Sequence, residues 1–278
     1  MFAVGLCIDT AYLLPSMVTL ISLADASPDR ASTAIRVLTP DLSRTDAATM
    51  AAIVRFLGFR SFDVRWVRPG WRVVDGSYIS TATYLRFDFA PDFVGRPHLV
   101  YLDSDVLVLG DLTSPLGALA RGRIGLVRDL FNHSVGAGPA LPGVADRWPA
   151  FRGRPYFNAG AMWCHTAELA RLRTGVARIM RHDGQHIHYN DQDALNLWGL
   201  RDDSVQPLPP EFNTFEVDRF AELGDWVHPI VAAATVPSSP VVLHFVGAEK
   251  PWLATCPSTP AVGLYRRHLR HARRLARW

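Results

Sequence analysis

The sequence predicts an α/β domain, a parallel or mixed β-sheet with helices on both faces. Three observations carry this expectation. Short apolar runs alternate with helical segments through residues 1–110. The runs are bounded by polar or turn-forming residues, as buried strands are. The 278-residue chain is 49% hydrophobic and 20% charged, which allows a sizeable core and excludes disordered, collagen-like and coiled-coil compositions. Repeated strand–helix–strand units place helices on the two faces of one sheet.

Phe2–Ile8 is an apolar run closed by Asp9, the pattern of a buried strand. Pro15–Ala26 reads as a helix, since proline suits a first turn and apolar residues fill its length. Ala34–Leu38 is the next strand. Asp46–Leu57 is predicted helical, with Thr45 as N-cap and Gly58 just past its end. Ser61–Val67 alternates as a strand. In Leu99–Leu109, LVYLDSDVLVL, two β-type runs flank an acidic tripeptide. Asp103, Ser104 and Asp105 therefore fall where a central strand emerges into a loop, the place where α/β sheets collect ligands. Residues 129–157 are rich in Gly and Pro and read as a functional loop. His165–Met180 is amphipathic, with Leu169, Leu172, Val176 and Ile179 at helical spacing. Val241–Phe245 is the last strand, and neither an internal repeat nor a linker divides the chain. A single domain is expected.

The net charge of +3 is too mild to make nucleic acid the main partner. Three cysteines, Cys7, Cys164 and Cys256, suggest neither a disulfide framework nor a zinc knuckle. With no signal-peptide pattern and no membrane-span run, the expected location is the reducing cytoplasm. Of 29 basic residues, 28 are arginine and one is lysine, Lys250. Against such a bias, a lone lysine asks for a reason.

Two carboxylates at i and i+2 project to one side of an extended segment and need a cation if buried. A divalent metal suits them, and a solvated strand-end turn is the alternative. His244 lies in the apolar strand Val241–Phe245 and reads either as a satisfied core histidine or as a nitrogen ligand favouring Mn2+ over Mg2+. Gly247 permits close backbone approach, and Lys250 adds a compact charge suited to a diphosphate. Asp191 and Asp193 precede an apolar helix, so either could cap it while its neighbours face a ligand. Asn158, in Tyr156–Met162, suits sugar hydroxyls or an Asx turn. Arg86 is a surface arginine or an anion clamp.

In order and spacing, the stretches CIDTAY (7–12), ISTATYLRF (79–87), VYLDSDVLVLGDL (100–112), YFNAGAMW (156–163), NDQDALN (190–196), EFN (211–213) and HFVGAEKPW (244–252) resemble the glycosyltransferases of family 8. That group includes glycogenins and bacterial lipopolysaccharide galactosyl- and glucosyltransferases. The resemblance implies a GT-A fold, a Rossmann-like mixed sheet binding a UDP-sugar and Mn2+, with Mg2+ as the alternative ion. It carries metal binding onto Asp103, Asp105 and His244, and diphosphate binding onto Gly247 and Lys250. Cys7, Ile8, Asp9, Tyr12 and Ser104 fall around the nucleotide. Arg86, Asn158, Asp191 and Gln192 match positions that hold or face the transferred sugar, and Asp129 matches an acidic position near sugar and acceptor. Tyr78 and Thr214 border the acceptor. The first motif departs from the common pattern, with Ala11 where some relatives have Asn.

The implied reaction is retaining transfer of a hexosyl group, glucose or galactose, to a hydroxyl of a glycan, a lipid-linked glycan or a natural product. Gln192, on the far sugar face, is an amide and cannot be a general base. Either its oxygen attacks, or the acceptor enters on the leaving-group face. The competing readings are a non-catalytic nucleotide-sugar or carbohydrate-binding protein and a metal-dependent nucleotidyltransferase. The transferase domain is expected over 1–263, followed by a basic helical tail over 264–278 with six arginines and an apolar face of Tyr265, Leu269, Ala272 and Ala276. Such a tail could lie on the anionic inner face of a membrane.

Overall fold

The computed structural model describes residues 1–68, 70–71, 81–220 and 237–276. β1 (Ala3–Cys7), β2 (Ala34–Thr39), β3 (Ser61–Trp66) and β4 (His98–Leu102) pair in parallel. β6 (Ile124–Arg128) and β7 (Phe157–His165) are antiparallel, as are β7 and β4, while β8 (Val205–Leu208) runs parallel to β6. The seven-stranded sheet has the order β3-β2-β1-β4-β7-β6-β8, so the expected mixed sheet is present. The chain order reverses at β1 and β4, which opens a crevice at their carboxyl ends. β5 (Val106–Val108), β10 (Val242–His244) and β9 (Thr214–Phe215) form a second, three-stranded sheet in the order β5-β10-β9.

Period-two alternation divides the core into two layers. Val4, Leu6, Val100 and Leu102 point into one, and Ala3, Cys7, Leu99 and Tyr101 into the other. α1 (Leu13–Ala26) and α2 (Arg44–Phe56) cover the first face. Short helices α3 (Pro91–Val94), α4 (Ser114–Ala118) and α5 (Val144–Arg147) fill connections, and α6 (Leu169–His182) with α7 (Asn190–Asp202) covers the second face.

Several boundaries differ from expectation for local reasons. Ser43, not Thr45, caps α2: its hydroxyl accepts the Asp46 N–H at 3.0 Å, which starts the helix at Arg44. The run Leu99–Leu109 is divided between the two sheets, β4 in one and β5 in the other. Tyr156–Met162 leads into the central strand β7 rather than a tight turn. That strand ends at His165, so the amphipathic helix begins at Leu169, after a 3-10 turn over Thr166–Glu168.

The last helix, α8 (Pro260–Ala276), begins before residue 264, so the boundary expected at 263 falls inside it. Val262, Tyr265, Leu269, Ala272 and Ala276 are buried in the first core layer, where α8 packs on α1. The apolar stripe read as a membrane-facing surface is therefore packed into the core. Among the described residues, no helix is long and apolar enough to cross a membrane. Leu269 is only 5% exposed. Leu269→Ala should therefore cost about 2–5 kcal/mol in urea unfolding; an unchanged midpoint would show that α8 is not docked.

Candidate active site

The acidic tripeptide is the link between the two sheets. Asp103 follows β4, where its N–H donates to Gly160 O at 2.8 Å, and Asp105 precedes β5, where its carbonyl accepts the Phe245 N–H at 3.0 Å. β10 pairs antiparallel with β5 and sets His244 opposite Val106. Asp103, Asp105 and His244 thus converge, each offering a ligand atom, all within 4.8 Å of one another. His244 Nε2 lies 3.2 Å from Asp105 Oδ1, yet that buried oxygen accepts no hydrogen bond. Two oxygens and an imidazole nitrogen aimed at one point suit a divalent ion such as Mn2+. The close approach depends on Gly160, where a Cβ would stand 2.2 Å from the His244 ring and 2.9 Å from Asp103 Oδ2. Lys250 Nζ donates to Asp105 Oδ2 and, at 3.0 Å, to Phe245 O. Burial pushes the Asp105 carboxyl up, but Lys250 and His244 together outweigh it and hold the group below the ordinary carboxylate range.

Arg86, from the 3-10 helix Thr81–Asp88, is the second anchor. Its guanidinium is buried, donates to Asp103 Oδ1 at 3.1 Å and to Ala159 O, and pairs with Asp191 Oδ2 at 3.0 Å. It also lies over the Tyr101 ring, whose hydroxyl donates to Asp103 Oδ1 at 2.6 Å. Burial raises the Asp191 carboxyl above the usual range despite the arginine beside it. Asp191 is therefore a charge partner, not a helix cap. Asp193 instead accepts the His188 and Tyr189 N–H groups at 2.6 and 2.8 Å and tightens the start of α7.

A network of amides completes the floor. Gln192 Oε1 accepts from Ala159 N–H at 3.1 Å and from Asn158 Nδ2 at 2.9 Å. Asp129 Oδ2 accepts from Gln192 Nε2 and Asn158 Nδ2, both at 3.2 Å, while its other oxygen caps the turn at Phe131 and Asn132.

These groups share a cleft of about 770 Å³. Cys7, Asp9, Tyr12, Ser104 and Gly247 line it as well. Burial pushes the Cys7 thiol up, which makes it a neutral wall. Ser104 Oγ is buried with no hydrogen-bond partner, and Gly247 uses the left-handed backbone (φ 85°) that favours glycine. Two expected residues are turned away from the cleft. Ile8 is fully buried in the core, as β1 alternation demands. The Thr214 hydroxyl donates to Pro210 O at 3.0 Å and borders a separate cavity of about 330 Å³. Tyr78 lies outside the described residues.

Arg219 has no motif around it, yet it is 1% exposed and donates to Glu216 Oε2 at 2.9 Å and to the carbonyls of Val246 and Glu249. It thereby clamps the loop that carries Gly247 and Lys250. Among 28 arginines its position gave no sign, but Glu216 three residues earlier is the ion-pair spacing that could have marked it.

The model of the family described as Glycosyl transferase family 8 matches residues 3–256. The glycosyltransferase GlyE of Streptococcus pneumoniae is 25% identical over 178 residues, 63% of this chain and 38% of that protein. The lipopolysaccharide 1,2-glucosyltransferase of Escherichia coli is 29% identical over 178 residues, 62% of this chain and 49% of that protein. The matched region thus spans about half or less of these relatives. The solved structure of the galactosyltransferase LgtC in complex with donor and acceptor sugar analogs superposes with TM-score 0.74 at 24% identity, covering 97% of this chain and 95% of that one.

Arg219→Met should destabilise the protein by about 3–5 kcal/mol, because Glu216 is left as a lone buried carboxylate. Burial already raises the Glu216 pKa. Its ionised form therefore weakens the fold as pH rises, and the arginine opposes this. The variant's deficit should be larger at about pH 8 than at about pH 5, because Glu216 takes up a proton as the pH falls. Urea unfolding at the two pH values measures it, and a pH-independent deficit would contradict the pairing.

Proposed function

The chain belongs to glycosyltransferase family 8, and we propose that it moves a hexosyl group from a UDP-sugar to an acceptor hydroxyl with retention of anomeric configuration. The observation that carries this is the convergence of Asp103, Asp105 and His244 beside Lys250 on the cleft floor. That trio would hold Mn2+, with Mg2+ as the alternative ion. When bound, the ion supplies positive charge against the departing diphosphate. Asp9, Tyr12 and Cys7 would surround the nucleotide, with the Ser104 hydroxyl as a donor toward the ribose. Gly247 lets the backbone approach the diphosphate, and Lys250 neutralises it. The sugar complexes of LgtC and the names of the lipopolysaccharide and GlyE transferases support a sugar-nucleotide donor and a glycan acceptor.

The sugar would rest against Asp191 and Asp129, on a floor held by Asn158, whose amide is engaged with Asp129, Gln192, Gly160 and Asn213. Arg86 acts through Asp103 and Asp191, since its own nitrogens are already engaged with protein oxygens. The Gln192 oxygen likewise accepts from two protein donors, and an amide takes no proton at neutral pH. Both points favour entry of the acceptor on the leaving-group face, its proton passing to the departing diphosphate oxygen. Across the cleft, Phe131, Phe215 and Phe220 offer aromatic surface against which a sugar or an apolar aglycone can stack.

A screen of UDP-glucose, UDP-galactose and other nucleotide-sugars should show UDP release that requires Mn2+ and stops with chelator. A protein that only binds would release none. Asp103→Asn or Asp105→Asn should lower turnover by about 100-fold or more, and near-normal activity in either would refute the metal site. Lys250→Arg should lose about tenfold in kcat/KM despite keeping the charge, because a planar fork does not replace a compact ammonium between Asp105 and Phe245 O. NMR of the product tests the stereochemistry, and an inverted anomer would refute retention.

A further inference from the structure

Asn213 ends the 3-10 helix Pro210–Asn213, is 3% exposed, and stands between His244 and Asn158. The direction of every hydrogen bond through it is fixed by a backbone group at the far end. Gly160 N–H can only donate, and it donates to Asn158 Oδ1 at 2.9 Å. Asn158 Nδ2 accordingly faces Asp129 Oδ2, a carboxylate oxygen that can only accept. Asn213 lies 2.8 Å from the same Asn158 Oδ1, so the atom it presents there is its NH2 group. The reversed amide would set two oxygens against each other at that distance. Asn213 Oδ1 is thereby turned to His244 Nδ1 at 3.0 Å, and that nitrogen must carry the hydrogen. The other ring nitrogen, Nε2, is then the one turned toward the two carboxylates, 3.2 Å from Asp105 Oδ1.

We propose that Asn213 is a positioning residue that holds His244 in the Nδ1–H tautomer, so that Nε2 presents its lone pair between Asp103 and Asp105. The assignment rests on the reading of that trio as the metal seat. Its logic is that of an outer-shell partner that donates no ligand itself but fixes the tautomer and ring orientation of one. Asn213 also reaches beyond the seat. Through Asn158 it connects His244 to Gln192 and Asp129, so the nitrogen ligand and the sugar-facing amides are oriented by one chain of hydrogen bonds.

Long-range 1H–15N spectra of the metal-free protein labelled at histidine read the tautomer directly. The His244→Gln variant identifies the signal. The expected spectrum has a protonated Nδ1 and an unprotonated Nε2. Asn213→Ala should mix the tautomers and weaken binding of Mn2+ alone about 10–100-fold by calorimetry. Asn213→Asp still accepts from Nδ1–H, so it should keep the tautomer, although its second oxygen then faces Asn158 Oδ1 and the tie to the sugar-facing amides is lost. A residue that merely filled space would lose as much with Asp as with Ala. An unprotonated Nδ1 in the unsubstituted protein overturns the proposal, as does an unchanged tautomer and affinity in Asn213→Ala. Should that variant fail to fold, the unsubstituted protein and Asn213→Asp still decide. Failure of the unsubstituted protein to bind Mn2+ would overturn the metal reading itself, and the metal-free spectrum separates that failure from a failure of the Asn213 assignment.

Discussion

Two carboxylates held at the junction of two sheets have to be neutralised, and much of the molecule's interior answers that requirement. Asp103 is met by Arg86 and the Tyr101 hydroxyl, and Asp105 by Lys250. An unpaired charge at such a site would cost several kcal/mol. The pairing also explains why a buried arginine sits beneath the cleft. By joining Asp103 to Asp191 it ties the end of β4 to the start of α7, two elements that approach the site from different parts of the chain.

Rigidity of the floor comes from hydrogen bonds that are doubly used. Asn158 contacts Asp129, Gln192, Gly160 and Asn213, so the amide groups have few ways to rotate independently. Small residues make this density possible, and Gly160 above all, since any side chain there would occupy the position of the His244 imidazole. The cleft is thus polar and ordered on its floor and aromatic along one wall, where Phe215 and Phe220 pack with Phe131. One side is built to hold charge, the other to present carbon.

The parallel half of the sheet and the acidic tripeptide were legible because their patterns are local. A strand that alternates into two core layers, followed by polar residues, announces itself in LVYLDSDVLVL. The antiparallel β7 did not, because Asn158 and Gly160 interrupt its apolar character for the sake of the site. Ile8 was placed with the nucleotide by its neighbours in sequence, whereas strand alternation sends its side chain to the core. The apolar stripe of α8 was seen correctly as a stripe, but periodicity does not say what covers it, and the partner is α1. Asn213 lay in a recognised stretch, but its work depends on Asn158 and His244, 55 and 31 residues away. Hydrogen bonds of that separation leave no trace in spacing.

Tyr265 of α8 packs against the loop that carries Lys250. Its ring lies 5.2 Å from Phe245 and 5.8 Å from Trp252, on either side of Lys250, and Arg266 donates to Pro251 O at 3.1 Å. The loop that brings the lysine to Asp105 is therefore braced by residues made after it. During synthesis the N-terminal segments leave the ribosome first and can begin to pair, so β1 to β4, Arg86 and both aspartates exist well before the groups that meet Asp105. His244, Lys250 and the helix that braces them come later. An emerging chain thus carries its acidic junction without the groups that neutralise Asp105, and the cleft acquires its final electrostatics only when the closing helix docks on α1.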